Sequence, residues 1–181
     1  GHCELCLLGK RNLCLNLAMC GSNADGALRE RILYPADEEY LIPLPDSVSD
    51  EEGALLEPLG VAMHSLELHR LRLADTVAVL GAGTIGLLIT QLAKLAGASQ
   101  IIVSDPLEYR LEAAKEMGAT DVLNPHKVDA VKAVQDLTRG RGVDVVYEAS
   151  GSTEALKQGV EMARPGGTYI LVGLPVPDMV E

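Results

Sequence analysis

The chain contains no phenylalanine and no tryptophan, and five tyrosines make up its whole aromatic content. Its 181 residues are nevertheless 48% hydrophobic. That length and fraction suffice for a real core, which must be aliphatic and built from Val, Ile, Leu and Ala. Basic residues are also scarce: 15 Lys and Arg stand against 26 Asp and Glu, for a net charge of −11. A balance of that sign argues against nucleic acid and against anionic membrane as partners. The charges are mixed along the chain, which speaks against disorder. No apolar run reaches the length of a membrane span and no signal peptide is visible, so a cytoplasmic protein is the default expectation. The first residue is Gly1 rather than Met, and a motif begins at once, so the chain is expected to be a piece of a longer one.

What is present is concentrated in residues 76–105, TVAVLGAGTIGLLITQLAKLAGASQIIVSD. The apolar run at 77–80 is too short for a helix and right for a buried strand. Gly81, Gly83 and Gly86 follow in the spacing G-x-G-x-x-G. Ile85, Leu88, Leu92 and Leu95 then step by three or four, as on one face of a helix. A second apolar run at 101–103 ends at Ser104 and Asp105. Strand, glycine turn, helix, strand and acid, in that order, make a dinucleotide-binding unit.

Each residue type in that unit has a physical task. Gly81 permits a tight turn out of the strand, Gly83 lets the backbone approach a pyrophosphate, and Gly86 lets the helix pack close to the strand. The helix opening at Thr84 offers unpaired N–H groups and a positive dipole end to the phosphates. Asp105, nineteen residues beyond Gly86, is placed to accept hydrogen bonds from the hydroxyls of an adenosine ribose. It would repel a 2′-phosphate, which favours NAD over NADP. A glycine turn in an unrelated α/β protein is the plainer alternative, and it leaves the position of the acid unexplained.

All four cysteines, Cys3, Cys6, Cys14 and Cys20, lie in residues 1–20. Cys3 and Cys6 form a C-x2-C pair that can place two thiolates on one tetrahedral ion, and Lys10 and Arg11 nearby would stabilise thiolates. Clustered cysteines without a secretory signal suggest metal before disulfide. Reduced, unliganded cysteines in a loop remain an equal alternative. Residues 27–33 half-alternate like a strand, and 40–45 form a short extended piece in which Pro43 and Pro45 exclude a helix. These pieces are too few for a core of their own and read as the tail of a β-rich domain.

Ser49 and Glu52 make a capping box, S-x-x-E, that starts a short helix through Ala54 and Leu55. Pro58 breaks that helix and is expected to open the next one, which carries Leu59, Ala62, Leu66 and His69. Glu57 at the junction has a bland reading as a helix cap. His64 and His69 read as packing or surface residues. Beyond Asp105 the alternation continues. Leu107, Leu111, Ala114 and Met117 mark a helix ending at Gly118, residues 121–123 a strand, 128–137 a helix and 143–147 a strand. Residues 148–151 lie at the carboxyl end of that last strand, where ligands bind in open α/β sheets. Leu156, Val160 and Ala163 mark a further helix, ended by Pro165, Gly166 and Gly167. Residues 169–172 are a fifth strand, and no further helix or strand is expected before Glu181, where the full doubly wound design has six strands.

These residues resemble a known family. The motifs GHCELCLLGKRNLC, GALLEPLGVAMHS, VAVLGAGTIGLL, SDPLEYRLEAAKEMGA, GVDVVYEASGS and RPGGTYILVGLP, in that order and over the whole chain, are similar to those of the zinc-dependent medium-chain alcohol dehydrogenases. The resemblance is greatest to the branch of sorbitol, threonine and butanediol dehydrogenases. It implies an α/β fold with a Rossmann doubly wound parallel sheet in residues 49–181, truncated after the fifth strand. Residues 1–48 would be the remnant of a GroES-like β-rich catalytic domain with its structural-zinc cysteine loop.

The resemblance also implies roles for particular residues. Cys3, Cys6 and Cys14 match the second, third and fourth structural-zinc ligands. The first would fall just before Gly1, and Cys20 matches none. Glu57, in the EPL motif, would reach the catalytic zinc as a ligand or through bound water, the other ligands lying upstream in the family. Gly81, Gly83, Thr84, Ile85 and Gly86 match the turn that meets the cofactor. Asp105 and Arg110 match the ribose contacts, and Val172, Gly173 and Leu174 match the strand end that meets the nicotinamide. The implied protein is a zinc-dependent NAD oxidoreductase that transfers hydride from a secondary alcohol or polyol to NAD, as a homo-oligomer in its full-length form. The alternative is a non-catalytic NAD-binding fragment of such an enzyme. A zinc-free reductase relative is disfavoured by the cysteine loop and Glu57. For the chain alone the expectation is NAD binding without turnover.

Overall fold

The structure is a computed structural model that describes residues 1–35 and 41–174. It divides into two compact units, Gly1–Ser47 and Val48–Glu181. The first holds a one-turn helix α1, Glu4–Leu7, a 3-10 turn, Arg11–Leu13, and a single bridge between Cys20 and Ala24. Among its described residues only Cys6 is buried. The strand expected at 27–33 does not form: these residues carry no regular structure, and Leu28 and Leu33 lie fully in solvent. Alternation makes a strand only where a neighbouring backbone completes the ladder, and among the described residues none does so here. Residues 41–45 likewise carry no regular structure. Tyr40, and residues 175–181, where no further element was expected, lie outside the described residues.

The second unit is built on five parallel strands: β1 Thr76–Leu80, β2 Gln100–Ser104, β3 Asp121–Leu123, β4 Val143–Glu148 and β5 Ala163–Leu171. Their order is β3-β2-β1-β4-β5. The helices are α2 Asp50–Ala54, α3 Leu56–His69, α4 Thr84–Leu95, α5 Glu108–Met117, α6 Ala130–Leu137 and α7 Thr153–Met162. The central strands read as unbroken apolar runs because helices cover both faces of the sheet. On one face Val77, Val79, Ile101, Val103, Val145 and Tyr147 pack with Ala62 of α3 and Ile89 and Ala93 of α4. On the other, Ala78, Leu80, Ile102 and Val146 pack with Ala130 and Val134 of α6 and Met162 of α7. Alternate residues of one strand thus enter opposite aliphatic layers. Tyr147 is the bulkiest side chain fully enclosed, and burial pushes its phenol upward from its ordinary pKa.

Several boundaries differ from the sequence expectation, each for a local reason. The capping box is present, with Glu52 N–H donating to Ser49 Oγ and Ser49 N–H to Glu52 Oε2. The break between α2 and α3 falls at Leu55, and Pro58 is the third residue of α3 rather than its first. First-turn N–H groups have no partner within a helix, so proline costs nothing there. α6 begins at Ala130 because Asp129 caps it, accepting the N–H of Lys132 at 3.0 Å. α7 turns Gly159 and Met162 inward and leaves Val160 exposed, while Ala163 already belongs to β5. The inward position next to the Tyr169 ring has room for no side chain at all, so a search for apolar residues misassigns that face.

At the amino end of the sheet, Asp144 of β4 accepts from Thr76 N–H at 2.9 Å and Thr76 Oγ1 at 2.8 Å. Its carboxylate also meets Arg141 at 2.6 Å and Arg164 at 2.7 Å. The Arg141 guanidinium, followed by the Thr76 and Arg164 donors, holds Asp144 far below the usual carboxylate range despite its burial. This cluster fastens β1, β4 and the start of β5 at the end opposite the candidate site.

Candidate dinucleotide site

Strand order reverses between β1 and β4, since β2 and β3 continue from one side of β1 and β4 and β5 from the other. Loops leaving the carboxyl ends there diverge and leave a crevice. Gly81 leaves β1 with φ +98°, and a Cβ on it would stand 2.9 Å from the backbone of Ser150. A Cβ on Gly86 would overlap the carbonyl oxygen of Gly81, so α4 approaches the turn as closely as its backbone permits. Gly83 differs: a Cβ there would meet nothing. Gly83 is the N-cap of α4 and supplies no side-chain oxygen to the first-turn N–H groups, and a helix start of that kind is suited to an anion.

A cavity of about 410 Å³ opens at this point, lined by Gly81, Gly83, Asp105, Arg110, His126 and Ser150 among others. Asp105 is 3% exposed. Its Oδ2 accepts the N–H of Ala82 and its Oδ1 the N–H of Leu107, both at 2.9 Å, and Arg110 Nη1 stands 3.6 Å from Oδ2. A second cavity, of about 260 Å³, is lined by Ile85, Gly151, Val172, Gly173 and Leu174. Ala149 and Ser150 line both, so the two hollows share a wall at the end of β4. Thr84 is exposed at the first position of α4 and lines neither.

One residue of this region escaped the sequence reading, and a second was marked there only by its place at the carboxyl end of β4. His126 lines the larger cavity, and nothing in its neighbourhood marked it. Glu148, the last residue of β4, is completely buried. Its Oε1 accepts the N–H groups of Ser150 at 2.8 Å and Gly151 at 2.9 Å, and the Ser150 hydroxyl. Among the described residues its Oε2 has no partner. The available signal was an acid directly following an apolar strand.

In the first unit the sulfurs of Cys3, Cys6 and Cys14 all lie within 4.8 Å of one another, with Cys3 and Cys6 3.5 Å apart. Backbone N–H groups, that of Leu15 foremost, lower the Cys3 thiol to about 6. Its two neighbours push Cys6 upward. Three converging thiols, one poised as thiolate, are a donor set that fits zinc with one position open. Cys20 stands apart, exposed, with Sγ 3.7 Å from the Tyr34 hydroxyl. Glu57 is exposed in the first turn of α3. Among the described residues no second group of three potential ligands forms around it.

The parallel sheet, its switch point and the glycine turn define a dinucleotide-binding α/β domain of the Rossmann kind. The pattern of the zinc-binding dehydrogenases matches residues 84–180, more than half of the chain, and the chain belongs to that family. It is 41% identical over 176 residues to the sorbitol dehydrogenase of Bacillus subtilis (strain 168), covering 97% of this chain and 49% of that one. The solved alcohol dehydrogenase TADH of Thermus sp. ATN1 superposes with a TM-score of 0.89 at 34% identity, over 100% of this chain and 54% of that one. A zinc-binding dehydrogenase from Sinorhizobium meliloti 1021, solved bound to NADP, also gives 0.89, at 38% identity over 100% of this chain and 53% of that one. The chain therefore spans about half the length of the relatives it matches. Among the described residues no helix is long and apolar enough to cross a membrane.

Proposed function

We propose that this chain carries the nicotinamide-dinucleotide site of a zinc-dependent dehydrogenase that oxidises a secondary alcohol or polyol, with NAD as its cofactor. One observation carries the reading: Gly81, Gly83, Asp105 and Arg110 line one cavity, and Ile85, Val172, Gly173 and Leu174 line the adjoining one. Gly83 leaves open space where a diphosphate would lie, and the first turn of α4 supplies N–H donors to it. Asp105 would accept the ribose hydroxyls while holding Ala82 in place. Its charge favours NAD over the 2′-phosphorylated form. Ile85, Val172, Gly173 and Leu174 would seat the nicotinamide ring against an apolar wall. When bound, the cofactor supplies the hydride acceptor and zinc the Lewis acid that lowers the alcohol's pKa. Glu57 would be this chain's contribution near that zinc. Cys3, Cys6 and Cys14 would hold a separate, structural ion.

A second reading, a cofactor-binding part without activity of its own, is favoured by the chain's covering half of its relatives. Titration with NAD, followed by assay with sorbitol, threonine and butanediol in the presence of zinc, separates the two. We expect saturable NAD binding and no turnover. Zinc-dependent turnover would establish the complete enzyme in this chain, and no binding would remove both readings.

A further inference from the structure

We propose that Glu148 is a positioning residue for the nicotinamide half of the cofactor, an inference that rests on the dinucleotide reading above. Glu148 holds both walls of the smaller cavity. Its side chain draws in Ser150 and Gly151 through three hydrogen bonds to Oε1. Its carbonyl oxygen accepts the N–H groups of Val172 and Gly173, each at 2.8 Å. The walls are set as close as backbone allows. A Cβ on Gly173 would overlap Gly151 N and come 2.5 Å from Glu148 Oε2, and one on Gly151 would come 2.7 Å from the Leu174 oxygen.

A completely buried carboxylate with one unpartnered oxygen is costly, and plain core packing does not require it. Leu80, its register partner on β1, fills the neighbouring place with an apolar side chain. The carboxylate locks the 150–151 turn against the 173–174 turn, and together the two turns form the wall of the smaller cavity against which a nicotinamide ring would rest. Asp105, on the far side of the larger cavity, is held by Ala82 and Leu107 with Arg110 beside it, and none of these contacts involves Glu148.

The test compares NAD with ADP-ribose, which lacks the nicotinamide, by calorimetric titration of the chain. Glu148→Ala should weaken NAD about tenfold or more and leave ADP-ribose within about twofold. Glu148→Gln keeps an oxygen for the three donors and should restore NAD to within about threefold of the unaltered chain. Ser150→Ala removes one of the three donors to Glu148 Oε1 and, because Ser150 lines both cavities, should weaken NAD about two- to fivefold more than it weakens ADP-ribose. Equal weakening of both ligands, or unchanged NAD affinity in a folded Glu148→Ala, overturns the inference. If Glu148→Ala does not fold, an unchanged NAD to ADP-ribose ratio in Ser150→Ala does the same. An unaltered chain that takes up neither ligand overturns the dinucleotide reading and this inference with it.

Discussion

Oδ2 of Asp105 accepts the N–H of Ala82 at 2.9 Å, joining the acid after β2 to the middle of the glycine turn after β1. The residue expected to read the ribose therefore also fixes the turn proposed to face the phosphates. Both carboxylate oxygens are engaged by backbone, and each retains a lone pair for a ligand hydroxyl.

Replacing Asp105 by Ala leaves the N–H groups of Ala82 and Leu107 without their acceptor. We expect a loss of about 1–3 kcal/mol in urea unfolding, together with weaker NAD binding. With the carboxylate gone and Arg110 retained, NADP should gain on NAD. A variant with unaltered stability and an unaltered NAD to NADP ratio contradicts both roles.

The glycines separate fold from function. Gly86→Ala forces a methyl group into the Gly81 carbonyl and should cost about 1–3 kcal/mol, with loss of NAD binding. Gly83→Ala meets open space and should leave the melting temperature unchanged. It should still weaken NAD about tenfold or more, because the methyl group takes room from the diphosphate. Paired thermal melts and NAD titrations check the contrast. A Gly83→Ala variant that binds normally would show that no phosphate lies there.

Acid should loosen the sheet from its amino end. The folded-state pKa of Asp144 is depressed, chiefly by Arg141, so its contribution is complete above the unfolded value of about 4. It is lost as pH falls from there toward the folded value. Asp144→Asn should cost about 2 kcal/mol at pH 7, and its urea midpoint should converge with that of the unaltered chain as pH drops below about 4. A gap independent of pH would show that the charge contributes nothing.

The three thiols predict metal binding with a definite pH dependence. Cys3 is lowered to about 6, so its thiolate is available at neutral pH, while Cys6, pushed upward, must lose a proton to solvent when the metal binds. Cobalt titration should give a thiolate charge-transfer band that strengthens as pH rises from 6 and is abolished by EDTA. Cys14→Ser should weaken it and Cys20→Ser should not. Equal effects of the two substitutions would contradict the three-thiol set.

The β1–α4–β2 unit was legible because its signals are local. Apolar runs, glycine spacing and helical stepping each declare themselves within a few residues of chain, and β1, β2 and β3 lie where these placed them. The family resemblance assigned Ile85 to the cofactor turn and Val172, Gly173 and Leu174 to the nicotinamide end, but their gathering around one cavity appears only in the structure, since nothing local joins Ile85 to residues nearly ninety positions away. Residues 27–33 misled because strand alternation has meaning only beside a partner strand. Val160 misled because the inward place on α7 is filled by Gly159, which no hydrophobic pattern reports.

By itself the sequence determined the aliphatic core, the order of strands and helices, and the turn chemistry at Gly81, Gly83 and Gly86, all of which depend on backbone preference and side-chain type over short spans. Only the tertiary structure decided that Asp105 clasps Ala82, that Asp144 gathers two arginines, and that Glu148 is buried between two loops. Those relations depend on which segments the parallel crossovers bring together, and hydrogen bonds across 20 residues or more leave no local trace.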